Sequence, residues 1–241
     1  MEANKEAFMR YNILGDSDCP LVNIELFKGE KVKIESGAMA YMSNVTLNGK
    51  MNSSRSGFAG FISAIGRSMV SGENIFITEA IGLNDDGIIG IAPSIPGKIK
   101  ALEVGSRQYC LNTGAFLACD ESVDYNIISQ DISKALLGGT GGLFIMETSG
   151  TGEVLVNAFG DLLELEVSPN RPITIDNEHV VAWDSNLDYQ IEVASGYFGF
   201  TTGEGFVNKF SGHGKVLIQT RNIHSLAEEI RRFIPTQSNS K

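Results

Sequence analysis

One eight-residue pattern occurs twice in the chain and constrains its fold more than any other feature. Ala118-Cys119-Asp120-Glu121-Ser122-Val123-Asp124-Tyr125 and Ala182-Trp183-Asp184-Ser185-Asn186-Leu187-Asp188-Tyr189 both read A-x-D-x-x-x-D-Y, 64 residues apart (182 − 118). The same offset sets Ile99 against Leu163, Ala101 against Leu165, Tyr109 against Ile173 and Leu111 against Ile175, alternate positions expected to share one side of a strand. A fainter copy runs from Ile24 to Leu47, where Ser36-Gly37-Ala38 answers Thr113-Gly114-Ala115 at an offset of 77 (113 − 36). After the two closer copies come SGTGEVLV (149–156) and SGHGKVLI (211–218), each read as a strand, a glycine turn and a returning strand. In the first copy the matching hairpin is 74–81, a turn at Asn84-Asp85-Asp86-Gly87, then 88–92.

Period-two apolar runs between turn residues predict an all-β chain of three tandem modules, β-sandwich or double-stranded β-helix in type, related by pseudo-symmetry. The expected divisions are an extension over 1–20, module 1 over 21–96 with an insertion at 48–72, module 2 over 97–159, module 3 over 160–221, and a helix with tail over 222–241. Ile223, Leu226, Ala227, Ile230 and Phe233 fall on one helical face behind Asn222 as N-cap. Residues 62–69 and 132–137 are each expected to form a short helix, and 235–241 to be disordered after a helix-stopping proline.

With 241 residues and 42% hydrophobic content the chain can bury a core without staples. Its net charge of −10 opposes binding to phosphate backbones, which relies on cationic contacts, and argues against nucleic acid as a partner. Cys19, Cys110 and Cys119 are an odd set with no C-x-x-C pair, pointing to a reducing cytoplasm rather than a disulfide framework or thiolate zinc site. No signal peptide and no membrane-length apolar run is legible.

The paired aspartates invite an acid–base reading. Their duplication favours a structural one, because an active site needs a single asymmetric constellation, whereas a repeated Asp at a strand end accepts hydrogen bonds from turn amides. Trp183 falls where Cys119 and Tyr41 or Met42 stand in the other copies, which marks it as packing. GGTGG (138–142) and SGHG (211–214) lack the G-K-[ST] or strand–helix context of a phosphate cradle and read as hairpin turns. His179, His213 and His224 have no metal-ligand spacing, and no nucleophile elbow is present. No catalytic, cofactor-binding or metal residues are therefore assigned. The exceptional segment is 48–72, which holds Lys50, Arg55 and Arg67, apolar Phe58, Phe61, Ile62 and Ile65, and no acidic residue. Arg55, Phe58, Phe61 and Arg67 are its candidate partner-binding residues, for a protein or a membrane surface.

KVKIESGAMAYM, LNTGAFLACDESVDY, NEHVVAWDSNLDY, GEGFVNKFSGHGKVLIQTR and the closing helix together resemble the altered-inheritance-of-mitochondria, or mitochondrial-biogenesis, family and its bacterial relatives, over nearly the whole chain. The resemblance implies an all-β fold similar to the tryptophan RNA-binding attenuation protein, three such domains per chain, and oligomers in which the domains build a ring. It implies no established enzymatic activity. A start without a presequence looks like a bacterial cytoplasmic member. The resulting expectation is a non-catalytic scaffold or binding protein forming a homotrimer; a small-ligand or enzymatic β-barrel is the alternative, and RNA binding by fold analogy the weakest one.

Overall fold

The computed structural model describes residues 8–15, 18–50, 77–129, 144–193 and 206–234. Strands β1 (Arg10–Leu14), β2 (Leu21–Leu26), β3 (Lys31–Glu35), β4 (Met39–Ser43), β5 (Val45–Lys50), β6 (Ile77–Gly82) and β7 (Gly87–Ile91) come first. Next are β8 (Ile99–Val104), β9 (Tyr109–Asn112), β10 (Phe116–Asp120), β11 (Val123–Ser129), β12 (Phe144–Gly150) and β13 (Gly152–Asn157). Finally β14 (Leu162–Val167), β15 (Ile173–Asp176), β16 (Val180–Asp184), β17 (Asp188–Val193), β18 (Phe206–Ser211) and β19 (Gly214–Gln219) lead into helix α1 (Ile223–Arg231). The alternation behind these strands is plain in β2, where Val22, Ile24 and Leu26 are buried while Glu25 between them is exposed. The fold is all-β, with one short C-terminal helix among the described residues.

Among the described residues four antiparallel sheets form, with strand orders β1-β2-β7-β4, β5-β6-β3-β10-β13-β8, β11-β12-β9-β16-β19-β14 and β15-β18-β17. The order β2-β7-β4 recurs as β8-β13-β10 and again as β14-β19-β16. The order β3-β6-β5 recurs as β9-β12-β11 and β15-β18-β17. Each six-stranded sheet joins two such triplets, so its strands come from both sides of the sequence divisions at 96/97 or 159/160. The orders are open, and among the described residues no closed barrel forms.

Joining the triplets makes the middle strands two-faced. Cys119, Val154 and Val156 pack into one core with Leu102, Val104 and Met146, while Leu117, Ala118 and Leu155 from the same strands pack into another with Val32, Ile34 and Ile89. A third core gathers Cys110, Val180, Trp183, Phe210 and Val216. All five residues of β10 and all five of β16 are buried for this reason, whereas β4, which joins no second triplet, is exposed throughout.

One register expectation is corrected. Val154 pairs with Leu102 and Val216 with Leu165, so Leu102, not Ala101, matches Leu165. Leu163 is 49% exposed. The turn from Val104 to Tyr109 is one residue shorter than that from Val167 to Ile173, which changes the offset from 63 before the turn to 64 after it. The pairings of Tyr109 with Ile173 and Leu111 with Ile175 stand. The expected helices at 62–69 and 132–137, and the tail at 235–241, lie outside the described residues.

At the end of β3, burial pushes the Glu35 carboxyl up to about 7. A carboxyl raised from an ordinary 4.5 holds its proton more tightly folded than unfolded, so its stabilising contribution is complete below about pH 4.5 and is lost as pH rises through about 7. Glu35→Gln is expected to match the parent near pH 5 and to exceed it by about 1 kcal/mol near pH 8, the figure being reduced because the group is only half-buried. Urea titrations at the two pH values measure the difference; a variant equally destabilised at both contradicts this account.

Candidate interaction sites at the sheet junctions

The two joints between triplets are built alike. At the first, β3 meets β10 with Ala118 opposite Ile34, Cys119 opposite Lys33 and Asp120 opposite Val32. At the second, β9 meets β16 with Ala182 opposite Leu111, Trp183 opposite Cys110 and Asp184 opposite Tyr109. A bulge precedes the joint in both β10 and β16, between Phe116 and Ala118 and between Val180 and Ala182. β4 carries the same bulge between Met39 and Tyr41.

Asp120 and Asp184 close these joints. Asp120 is buried and its Oδ2 accepts the Glu153 backbone N–H at 2.7 Å, its Oδ1 that of Met9 at 2.7 Å. Burial raises its pKa, the two N–H donors opposing the shift. Asp184 Oδ2 accepts the Lys215 N–H at 2.9 Å, and Arg107 Nη2 donates to both of its oxygens, at 2.7 and 2.9 Å. The second aspartates of the repeated pattern, Asp124 and Asp188, are exposed. The buried carboxylates are committed to backbone amides, a use that holds strands together rather than moving protons.

Trp183 sits edge-on to Tyr189 and Phe210, with ring centroids at 5.0 and 5.5 Å, inside the third core. It packs, as its sequence position suggested, and offers no exposed face for stacking. Burial raises the thiols of Cys110 and Cys119 to about 12, so neither of these two is a thiolate at neutral pH. His179 Nδ1 lies 2.7 Å from the Gln219 carbonyl and His224 Nδ1 3.1 Å from Glu178. Among the described residues no group of three His, Cys, Asp or Glu side chains could hold a metal ion. SGTG and SGHG form the β12–β13 and β18–β19 turns, with Gly150 at φ 85° and Gly212 at φ 107°, a conformation that favours glycine. Arg55, Phe58, Phe61 and Arg67 lie outside the described residues, as does GGTGG.

Sequence reasoning passed over three cations that converge beside the second joint. Lys100 and Lys215 both reach Glu164, and Arg107 holds Asp184, along an open cleft of about 230 Å³ whose wall includes Ala182 and Leu217. No spacing motif announces this group, since its members come from four separate stretches of chain. Helix α1 begins as expected at Asn222, whose side chain accepts the Ser225 N–H at 2.7 Å. Its apolar side remains exposed, Ile223 at 46% and Ile230 at 49%. No described helix is long and apolar enough to cross a membrane.

A family model described as mitochondrial biogenesis AIM24 matches residues 11–221. The chain belongs to this family. An uncharacterised protein of Streptococcus pyogenes serotype M6 is 47% identical over 233 residues, covering 96% of this chain and 93% of that relative. A crystal structure of a protein from Streptococcus pyogenes superposes with a TM-score of 0.77 at 45% identity, covering 94% of this chain and all of the other. None of these descriptions names a reaction, so the family membership defines a fold without a chemistry.

Proposed function

We propose that the chain is a non-catalytic scaffold made of three copies of one six-stranded module, and that copies of it join head to tail into a homotrimer in a reducing cytoplasm. The observation that carries this reading is a pair of matching strand edges. β3 is joined to β10 and β9 to β16; by strand order the counterparts left over are β15 and β4, which among the described residues pair only with β18 and β7 respectively. An exposed edge is a template for another chain, and here each end offers what the other lacks. Continuing the register of the two joints sets Tyr41 of one copy opposite Ile175 of the next, Met42 opposite Thr174, and Ser43 opposite Ile173. Tyr41 and Met42, 42% and 44% exposed, occupy the places that Ala118 and Cys119 fill inside the chain. The committed carboxylates and raised thiols favour a scaffold over an enzyme.

Light scattering is expected to return three times the 26.0 kDa chain mass. Lysine at both Met42 and Thr174 sets like charges opposite each other and is expected to give monomers, while Met42→Lys with Thr174→Asp restores the assembly. A monomeric parent, or a trimer indifferent to both pairs, sinks the proposal.

A further inference from the structure

Among the described residues the first joint contains a strand that the second does not. β1 lies antiparallel on the outer edge of β2, with Arg10 opposite Glu25. Met9, just before it, and Tyr11 within it pack against the core behind the joint, which includes Ala118 and Leu155 and against which Ala101 also packs. The Met9 N–H occupies Asp120 Oδ1. The guanidinium of Arg10 forms an ion pair with Glu30 and lies 3.9 Å over the Phe27 ring.

At the second joint the position of β2 is taken by β8, whose outer edge has no strand partner among the described residues. Beside that edge runs the open cleft, lined by Glu164, Ala182 and Leu217, the residues that match Ala101, Ala118 and Leu155 by strand pairing. It is the place that Met9 and Tyr11 fill at the first joint. Its charges differ at four positions: Lys100 stands where Val22 does and Glu164 where Ala101 does, these two pairing with each other, and two acids are replaced by cations. Two residues before the joint, Glu30 precedes Val32 and Arg107 precedes Tyr109; the residues that donate an N–H to the joint aspartate are Glu153 and Lys215. Both acids of the first joint are cations at the second.

We propose that the free edge of β8 and this cleft dock an extended, acidic peptide segment of a protein partner, entering as β1 enters on β2. Its backbone N–H takes Asp184 Oδ1, an apolar or aromatic side chain enters the cleft, and a carboxylate stands at the position of Arg10, facing Arg107. The main-chain bonds supply affinity and the cleft supplies selectivity, as in strand addition to a sheet edge generally. The Arg107 side chain, 49% exposed, can turn to a second carboxylate without leaving Asp184. Glu103 remains acidic, as its counterpart Glu25 is at the first joint, and the added Lys100 and Glu164 offset each other as an ion pair, so the selectivity comes from Arg107 and Lys215. The inference rests on the module reading above but not on the trimer.

The test uses two fluorescently labelled heptapeptides, the sequence of residues 8–14 (FMRYNIL) and the same peptide with Arg10→Glu, titrated by anisotropy against the full chain. The Arg10→Glu peptide is expected to bind at least about tenfold more tightly than the native one, and the order to reverse on a chain carrying Arg107→Glu. Since Arg107 also ties Asp184, Lys215→Glu is the second variant; it changes the cleft charge while keeping the backbone bond to Asp184, and is expected to reverse or abolish the preference. Binding of neither peptide at millimolar concentration, or a preference unchanged in both variants, overturns the docking site. Light scattering on the same samples separates the two proposals: an intact trimer without peptide binding removes this one alone, and a monomer that binds the acidic peptide removes only the assembly.

Discussion

Replacing Gly97 by valine is expected to cost more than about 4 kcal/mol and to leave little folded chain at 37 °C, the largest effect of any single change considered. Gly97 lies where the lead into β8 crosses the lead into β14. There Lys98 N–H donates to the Gly160 carbonyl, Ala158 N–H to that of Lys98, and Gly160 N–H to that of Pro96, each at 3.0 Å. With φ at 157°, a Cβ on Gly97 would lie 1.8 Å from the Ala158 oxygen and 2.6 Å from the Gly160 nitrogen. Backbone atoms cannot swing aside as a flexible side chain can, so the crossing opens and its three hydrogen bonds are lost together, about 1 kcal/mol each before the desolvation of the groups left behind. Gly114→Ala is the control, because its Cβ meets nothing within 4 Å and its φ is ordinary; its effect is expected to stay within about 0.5 kcal/mol. Urea denaturation followed by circular dichroism compares them. A Gly97→Val chain melting like the parent would remove the crossing from the account of the fold.

Phe210→Ala is expected to cost about 3–5 kcal/mol. The side chain is fully buried at the centre of the third core, with Trp183 at 5.5 Å and Tyr189 at 6.4 Å between ring centroids. Its removal leaves a cavity that two rings anchored on β16 and β17 cannot close, because both strands are held by their own sheet partners. As Trp183 is the sole tryptophan, its emission reports the change directly, with a red shift expected as water reaches the indole. The indole Nε1 is buried and finds no hydrogen-bond partner among the described residues. Trp183→Phe therefore removes an unsatisfied donor along with some volume, and is expected to cost less than about 2 kcal/mol. If Trp183→Phe proves as damaging as Phe210→Ala, the centre of this core is the indole and the ranking is wrong.

What could be read in advance was whatever depends on near neighbours in the chain. Alternation in LVNIEL is a strand because successive side chains leave opposite faces. Gly150 and Gly212 mark hairpin turns because only glycine takes those φ values cheaply, and Asn222 caps α1 because its side chain reaches an N–H three residues on. The structural use of Asp120 and Asp184 and the packing role of Trp183 were also legible, the former from duplication and the latter from its place in the pattern. One available signal was passed over: FLACD and VVAWD show no alternation, which is how a strand buried on both faces reads. The sharing of sheets between triplets was written there. The shift of β14 by one residue was not visible, because it depends on a turn whose length matters only once both ends are paired. The cleft at the second joint was hidden for a stronger reason. Lys100, Arg107, Glu164, Asp184 and Lys215 meet only because β8, β14, β16 and β19 are brought together by pairings that span tens of residues, and the outer edge of β8, unlike that of β2, carries no strand among the described residues. The sequence by itself determined the strands, their turns and the all-β class, since these are decided by local sterics and by which side of each strand is apolar. Only the tertiary structure decided which edges remain open and which charges face one another, since both follow from strand neighbours that no local rule selects.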